Sequence, residues 1–302
     1  MSSLAVKYRP RLLRDFIGNE NTVKALRTMM EREEIPHTLC FTGPSGCGKT
    51  TLARIVAARL KCSQYDFTEN NAADFRGIDS VRDILRQMTL SPMSGPCRVW
   101  LLDECHQLSK DAQHALLKAL EDTPKHVYFL LATTDPEKLL PTIKTRCVTF
   151  DVKPLNDNLM DALLKSVLQK EGVNNVPQEA LDQIVQDSLG SARMALSVLD
   201  GIINMEPADM LEASKQTTSQ QNASIDLCRA LIGKRPWKEI SKIIQGLDQD
   251  PESVRRAVLG YASAVLLKSG QPQAWVVLDS FRQDFFTTGK PGLVLAAYAA
   301  VN

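Results

Sequence analysis

The stretch 43-GPSGCGKTT-51 constrains this chain more than any other. It fits the spacing GxxxxGK[ST], follows the apolar run 38-TLCFT-42 and opens the helical pattern 50-TTLARIVAARLK-61. Strand, glycine-rich turn and helix, in that order, are the setting in which such a loop cradles phosphates. Gly43, Gly46 and Gly48 let backbone N–H groups turn inward, and the helix N-terminus adds partial positive charge. Pro44, Ser45, Cys47 and Thr51 complete the segment predicted to bind nucleotide. Lys49 is predicted to reach the β- and γ-phosphates, and Thr50 to offer its hydroxyl to Mg²⁺.

Two further stretches supply chemistry. In 99-VWLLDECHQL-108 an apolar run ends in paired carboxylates. Such a pair also suits a helix N-terminus, but behind a phosphate loop it reads as catalytic. Asp103 is predicted to hold Mg²⁺ through its water shell, and Glu104 to polarise an attacking water. A base argues for hydrolysis, since a nucleotide sensor needs none. In 130-LLATTDPEKL-139, Thr133 and Thr134 stand where a polar side chain senses a γ-phosphate or orients water.

Up to about residue 152 the runs 38–42, 98–103, 127–132 and 148–152 alternate with helical patterns. Near-continuous apolar strands between helices predict a parallel sheet covered on both faces. Ser109 is a candidate N-cap for the helix that follows it. Beyond Pro154 the patterns are helical, in 156–172, 177–190 and 191–204, while the polar 212-EASKQTTSQQNAS-224 reads as a linker or helix end. The fold class predicted is an α/β P-loop domain with a parallel sheet (1–153), a small helical domain (154–213) and an all-helical C-terminal domain (214–302).

Composition restricts the partners. With 36 basic and 35 acidic side chains, the net charge is +1. Phosphate contacts dominate nucleic-acid affinity, so any DNA contact here must use a local basic surface. Seven cysteines without a CxxC pair support neither a zinc site nor a disulfide framework, and suit a reducing cytoplasm. 1-MSSLAVKYRP-10 lacks a signal-peptide core, and 257-AVLGYASAVLL-267 is too short to span a bilayer. A soluble intracellular protein without membrane partners is expected.

With these pieces in order, the chain resembles the AAA+ ATPase subunits of sliding-clamp loaders, similar to gamma-type subunits of bacterial DNA polymerase III and small subunits of replication factor C. The resemblance runs from about Val6 to Ile203. It is carried by KYRP and DFIGNE (7–10, 15–20), ENNAADFRGIDSVRDIL (69–85), DECHQLSKDAQHALLKALEDTP (103–124), LLATTDPEKLLPTIKTRCVTF (130–150) and GSARMALSVLD (190–200).

The resemblance implies ATP and Mg²⁺, with Tyr8, Arg9, Pro10 and Ile17 bordering the adenine. Thr134 takes the place of sensor 1, and Arg193 that of sensor 2, acting from a lid domain of the same chain. Arg146 takes the place of an arginine finger that points into the adjacent subunit's site, which implies a ring, of five subunits in these relatives. Arg76, Arg82, Arg86 and Lys110 are candidate DNA contacts, with Arg82 and Arg86 four apart on one helical face. Leu90, Pro92 and Met93 stand where relatives contact the clamp. His106 and His114 lack a third ligand and read as structural.

The chain departs from the family pattern in two places. Thr145 replaces the serine of the usual SRC finger motif, and only Cys62 stands where gamma-type subunits carry a cysteine-rich zinc module. The C-terminal part matches the oligomerisation collar in length and helicity only. Compactness and the absence of a long extension suggest a viral or archaeal-like small subunit. The expected location is the cytoplasm, or a host's cytoplasm if viral, in association with the nucleoid.

The function implied is ATP-driven loading of a sliding clamp onto primer–template DNA. The alternatives are another AAA+ DNA-processing ATPase, for branch migration or recombination, and a loader scaffold that binds ATP without turnover.

Overall fold

A computed structural model describes residues 3–72, 77–221, 223–247 and 249–302. The chain forms two compact units, Met1–Leu163 with Gly190–Met194, and Leu164–Leu189 with Ala195–Asn302.

The first unit is built on a five-stranded sheet of β1 (Thr38–Thr42), β2 (Phe67–Asn71), β3 (Arg98–Asp103), β4 (Val127–Thr133) and β5 (Val148–Asp151). Their order is β2-β3-β4-β1-β5, and every pairing is parallel. Successive strand residues point to opposite faces, and both faces are covered. Leu39, Phe41, Leu101 and Leu130 pack with Leu26 of α1 (Glu20–Glu31) and Leu52 of α2 (Lys49–Arg59). Cys40, Trp100, Phe129 and Leu131 pack with Ile84 of α3 (Ile78–Gln87) and Leu116 of α4 (Lys110–Glu121). The expected parallel sheet and its two-sided cover are present. Ser109 caps α4 as its sequence position suggests, accepting from Ala112 N–H.

The register sets the functional edge. Thr42 lies opposite Thr133 and Asp151, and Asn71 opposite Asp103. The C-terminal ends of the strands therefore share one edge, from which the phosphate loop, Asp103–Glu104 and Thr133–Thr134 emerge.

Beyond Asp151 the described residues hold helices and no strand. They are α5 (Asp157–Glu171), α6 (Gln178–Ser188), α7 (Ala192–Ile202), α8 (Pro207–Gln221), α9 (Ala223–Ile232), α10 (Trp237–Gln245), α11 (Pro251–Ser269), α12 (Pro272–Ser280) and α13 (Gly289–Ala299). The boundary between the units falls inside α5, and most of 154–213 lies in the same unit as 214–302. Of the two readings of 212–224, linker or helix end, the helix end holds: α8 ends there at Gln221 and α9 begins at Ala223. The segment's Ala, Lys and Gln residues form helix well without large apolar neighbours, and Met210 and Ser214 are fully buried. Strand β2, FTENN, has no apolar alternation and was not expected. It forms at the sheet edge through backbone pairing with β3 from Phe67 to Asn71.

Candidate nucleotide site

The phosphate loop leaves β1 at Gly43 and enters α2 at Lys49. Gly43, Gly46 and Gly48 have φ of +137°, +77° and +105°, where a side chain is strained. A Cβ would lie 2.1 Å from Val152 O at Gly43, 2.0 Å from Ser191 Oγ at Gly46 and 2.7 Å from the Phe16 ring at Gly48. The loop is thus closed in by the N-terminal segment, the end of β5 and the 190–194 segment. Pro44 and Ser45 are exposed, Cys47 is buried, and Thr51 is half-buried in the first turn of α2.

Lys49 is buried, and its Nζ donates to Gly43 O at 2.8 Å and Pro44 O at 2.9 Å. Burial lowers its pKa, while the nearby carboxylates of Glu104 and Asp103 act against that shift. Arg9 is also lowered, first by burial and then by the charges of Arg54 and Arg193. Arg193 belongs to the first unit, and its Cβ lies 3.3 Å from the position a Cβ at Gly46 would take. These cations gather around one loop, an arrangement that a polyphosphate would relieve. Tyr8, Pro10 and Ile17 are half-buried in the same N-terminal segment as Arg9.

Thr50 Oγ1 donates to Asp103 Oδ2 at 2.8 Å, so the two residues expected to serve a metal are adjacent. Their hydroxyl and carboxylate oxygens fit Mg²⁺, which binds through few protein ligands and keeps most of its waters. Glu104 takes a left-handed backbone conformation, φ +49°. Its Oε2 accepts from Thr134 Oγ1 at 2.8 Å and from Thr134 N–H at 3.2 Å. The residues expected to serve as base and sensor are therefore in direct contact.

His106, read from sequence as merely structural, also lies here. Its Nδ1 is 3.0 Å from Thr133 Oγ1 and 3.4 Å from Glu104 Oε2. Burial lowers its pKa, with the Glu104 carboxylate opposing.

Arg146 is elsewhere. Its guanidinium pairs with the Glu121 carboxylate, and Nη1 donates to Thr142 O at 3.0 Å. Val148, two residues on, lies opposite Leu39 near the start of β1, whereas the phosphate loop follows Thr42 at its end. At about 3.3 Å per strand residue, roughly 13 Å of strand separates the two levels.

Arg82 and Arg86 are exposed on α3, but each is paired within its helix, with Asp79 at 2.8 Å and Asp83 at 3.2 Å. Lys110 is exposed at the start of α4, and Arg76 lies outside the described residues. Leu90 and Met93 are 58% and 77% exposed, with Pro92 half-buried between them. Sequence reasoning missed what orders this loop. Buried Asp66 accepts from the N–H groups of Met93 at 2.7 Å, Ser94 at 3.0 Å and Gly95 at 3.2 Å. Burial alone would raise its pKa, yet these bonds and the Ser63 hydroxyl hold it well below the usual carboxylate range.

Residues 65–156 match a family profile described as DNA polymerase III, delta subunit. The DNA polymerase III tau subunit of Escherichia coli K12 is 34% identical over 249 residues, 76% of this chain and 38% of that protein. The chain belongs to the AAA+ clamp-loader family.

The gamma subunit of Buchnera aphidicola from Schizaphis graminum is 35% identical over 223 residues, 67% of this chain and 61% of that protein. The chain thus spans from under two-fifths to about three-fifths of these family members' length. Among solved structures, the Thermotoga maritima RuvB Holliday junction branch migration motor superposes with a TM-score of 0.60 at 23% identity, covering 83% of this chain and 85% of that one. A RuvB mutant with an alanine-to-serine substitution gives 0.61 at 20% identity, over 87% and 88%. These likenesses show the AAA+ fold.

Proposed function

We propose that this chain is an ATP-hydrolysing subunit of a ring that loads a sliding clamp onto primer–template DNA. The observation that carries the ring is the position of Arg146. It stands at the edge of the sheet opposite its own phosphate loop, bound to Glu121 there, so the nucleotide it serves belongs to a neighbour. Family membership supports the clamp and the primer–template as partners. Arg82, Arg86 and Lys110 are the proposed DNA contacts, and Leu90, Pro92 and Met93 the clamp contact. In this reading 154–213 acts as lid and 214–302 as collar.

The chemistry is in-line attack of water on the γ-phosphate. Glu104, aimed by Thr134, accepts the water's proton. Lys49 exchanges its loop carbonyls for phosphate oxygens, and Arg193 and Arg9 add positive charge from the same chain. Thr50 and Asp103 would hold Mg²⁺, which would supply neutralisation of the phosphates' negative charge. The neighbour's Arg146 completes the site, and such a finger contributes about 10³–10⁵ in rate.

The test mixes Lys49→Ala with Arg146→Ala chains and measures ATP turnover on primer–template DNA with a sliding clamp. An Arg146→Ala subunit keeps its phosphate loop and takes its finger from a Lys49→Ala neighbour. Turnover in the mixture, with each variant inactive alone, is the expected result. An inactive mixture beside an active wild type overturns the reading. Turnover indifferent to the clamp would point instead to another DNA-processing motor.

A further inference from the structure

The contact that locates Arg146 also constrains how it is presented. Glu121, the last residue of α4, lies 25 residues earlier in sequence and has no part in the chemistry described above. A guanidinium carries five N–H donors in a planar fork. Here one donor is bound to the Thr142 carbonyl and another to the Glu121 carboxylate, acceptors from two different elements. The remaining donors stay available on a side chain that is 35% exposed.

An unrestrained arginine spreads over many rotamers, and binding then bears the entropy of ordering it. Two fixed acceptors remove much of that freedom beforehand. The hold is weak enough to permit the reaction, because half-exposed ion pairs contribute little and are screened by salt. A phosphate oxygen aligned with the free donors therefore does not compete with a strong internal bond. Helix α4 ends on the side from which β4 begins, and Arg146 precedes the start of β5. The anchoring side chain therefore comes from the same edge of the sheet as the finger.

We propose that Glu121 is a positioning residue that pre-orients Arg146 toward the terminal phosphate of the neighbouring subunit's nucleotide. This rests on the in-trans reading above and adds to it the residue that aims the finger.

The test uses the same mixed rings. The Lys49→Ala chain donates the finger, and the Arg146→Ala chain hydrolyses ATP. Glu121→Ala placed in the donor lowers turnover roughly tenfold, in keeping with the sensitivity of rate to small misplacements. The same substitution in the Arg146→Ala chain has no finger to act on and leaves the rate where it was. Glu121→Gln in the donor, which keeps an acceptor oxygen, recovers part of the loss.

A merely structural role lowers the rate equally in both placements, and that result overturns the proposal. So does an unchanged or increased rate with the donor variant, the increase meaning that the carboxylate restrains the finger. No turnover in the starting mixture, without any change at Glu121, overturns the in-trans reading and this proposal with it.

Discussion

Thr134 Oγ1 donates to Glu104 Oε2 at 2.8 Å, and the Thr134 backbone N–H meets the same oxygen at 3.2 Å. One residue at the end of β4 thus sets the direction of the proposed base. Thr134→Ala removes the hydroxyl bond while leaving the phosphate loop intact. Turnover is expected to fall about 10²-fold, the lower range for general-base contributions, with ATP affinity nearly unchanged. Thr134→Ser keeps the bond and most of the rate. Equilibrium ATP binding measured beside turnover checks this, and an equal loss in both would contradict it.

Gly46 offers a test of the 190–194 segment. A Cβ there falls 2.0 Å from Ser191 Oγ on a backbone already at φ +77°. Gly46→Ala must displace Ser191, and with it the segment carrying Arg193. ATP affinity is expected to fall at least tenfold in a titration with labelled ATP. Adding Ser191→Gly removes the obstructing side chain and is expected to restore part of the loss, leaving the strain from φ.

Much of this site was legible because its geometry is local. GPSGCGKTT fixes glycines, lysine and threonine within nine residues, and the strand ending at Asp103 places that carboxylate by register, with Glu104 next in sequence. What sequence could not show depends on distant pairings. Glu121 and Arg146 are 25 residues apart, and Asp66 meets the loop at Met93 across 27. His106 stands three residues beyond Asp103, but sequence spacing does not show that it meets Glu104 and Thr133. Strand β2 is invisible in the sequence, and 212–221 reads there as either linker or helix end, for one reason. Both are polar, and hydrophobic periodicity registers only elements that bury an apolar face.

Glu252 gives the C-terminal unit an acid-sensitive clasp. Its carboxylate meets Arg255 at 2.6 and 2.8 Å and accepts from Phe285 N–H at 2.9 Å. Hydrogen bonding to Arg255 leads in lowering its pKa to about 2, against the opposing effect of burial. The unfolded chain binds this proton near pH 4.5, so it takes up more protons than the folded chain between the two values. Stability from this group is therefore complete above pH 4.5 and lost as pH falls toward 2. The loss is on the order of 3 kcal/mol. Urea midpoints measured across this window should fall less steeply for Glu252→Gln than for wild type.

Asp187 and Arg229 tie α6 to α9 within the same unit. Asp187 is buried, and Arg229 Nε donates to it at 3.2 Å in addition to a shorter Nη2 contact. Removing one partner leaves a buried charge without its counterpart, so Asp187→Ala is expected to cost about 3–5 kcal/mol. Replacing both, as Asp187→Leu with Arg229→Met, should recover most of that loss, because apolar residues carry no desolvation cost there. Denaturant unfolding of the two variants separates the outcomes, and equal destabilisation would mean that the pair itself contributes the stability.

Asp66 has a local role that can be separated from catalysis. Its two oxygens take three consecutive backbone N–H groups, and that fixes the loop from which Leu90 and Met93 project. Each bond to a charged acceptor contributes about 1.5–3 kcal/mol, so Asp66→Ala frees the loop before it unfolds the sheet. Amide exchange at Met93, Ser94 and Gly95 is expected to accelerate by at least about 10²-fold, while β3 and β4 stay protected. If the loop is the clamp contact, the variant loses clamp affinity because an ordered apolar surface has become one that must be ordered on binding. Clamp-independent ATP turnover is expected to persist, since Asp66 touches none of the groups around the phosphate loop. Wild-type clamp affinity despite rapid exchange would place the clamp elsewhere on the chain.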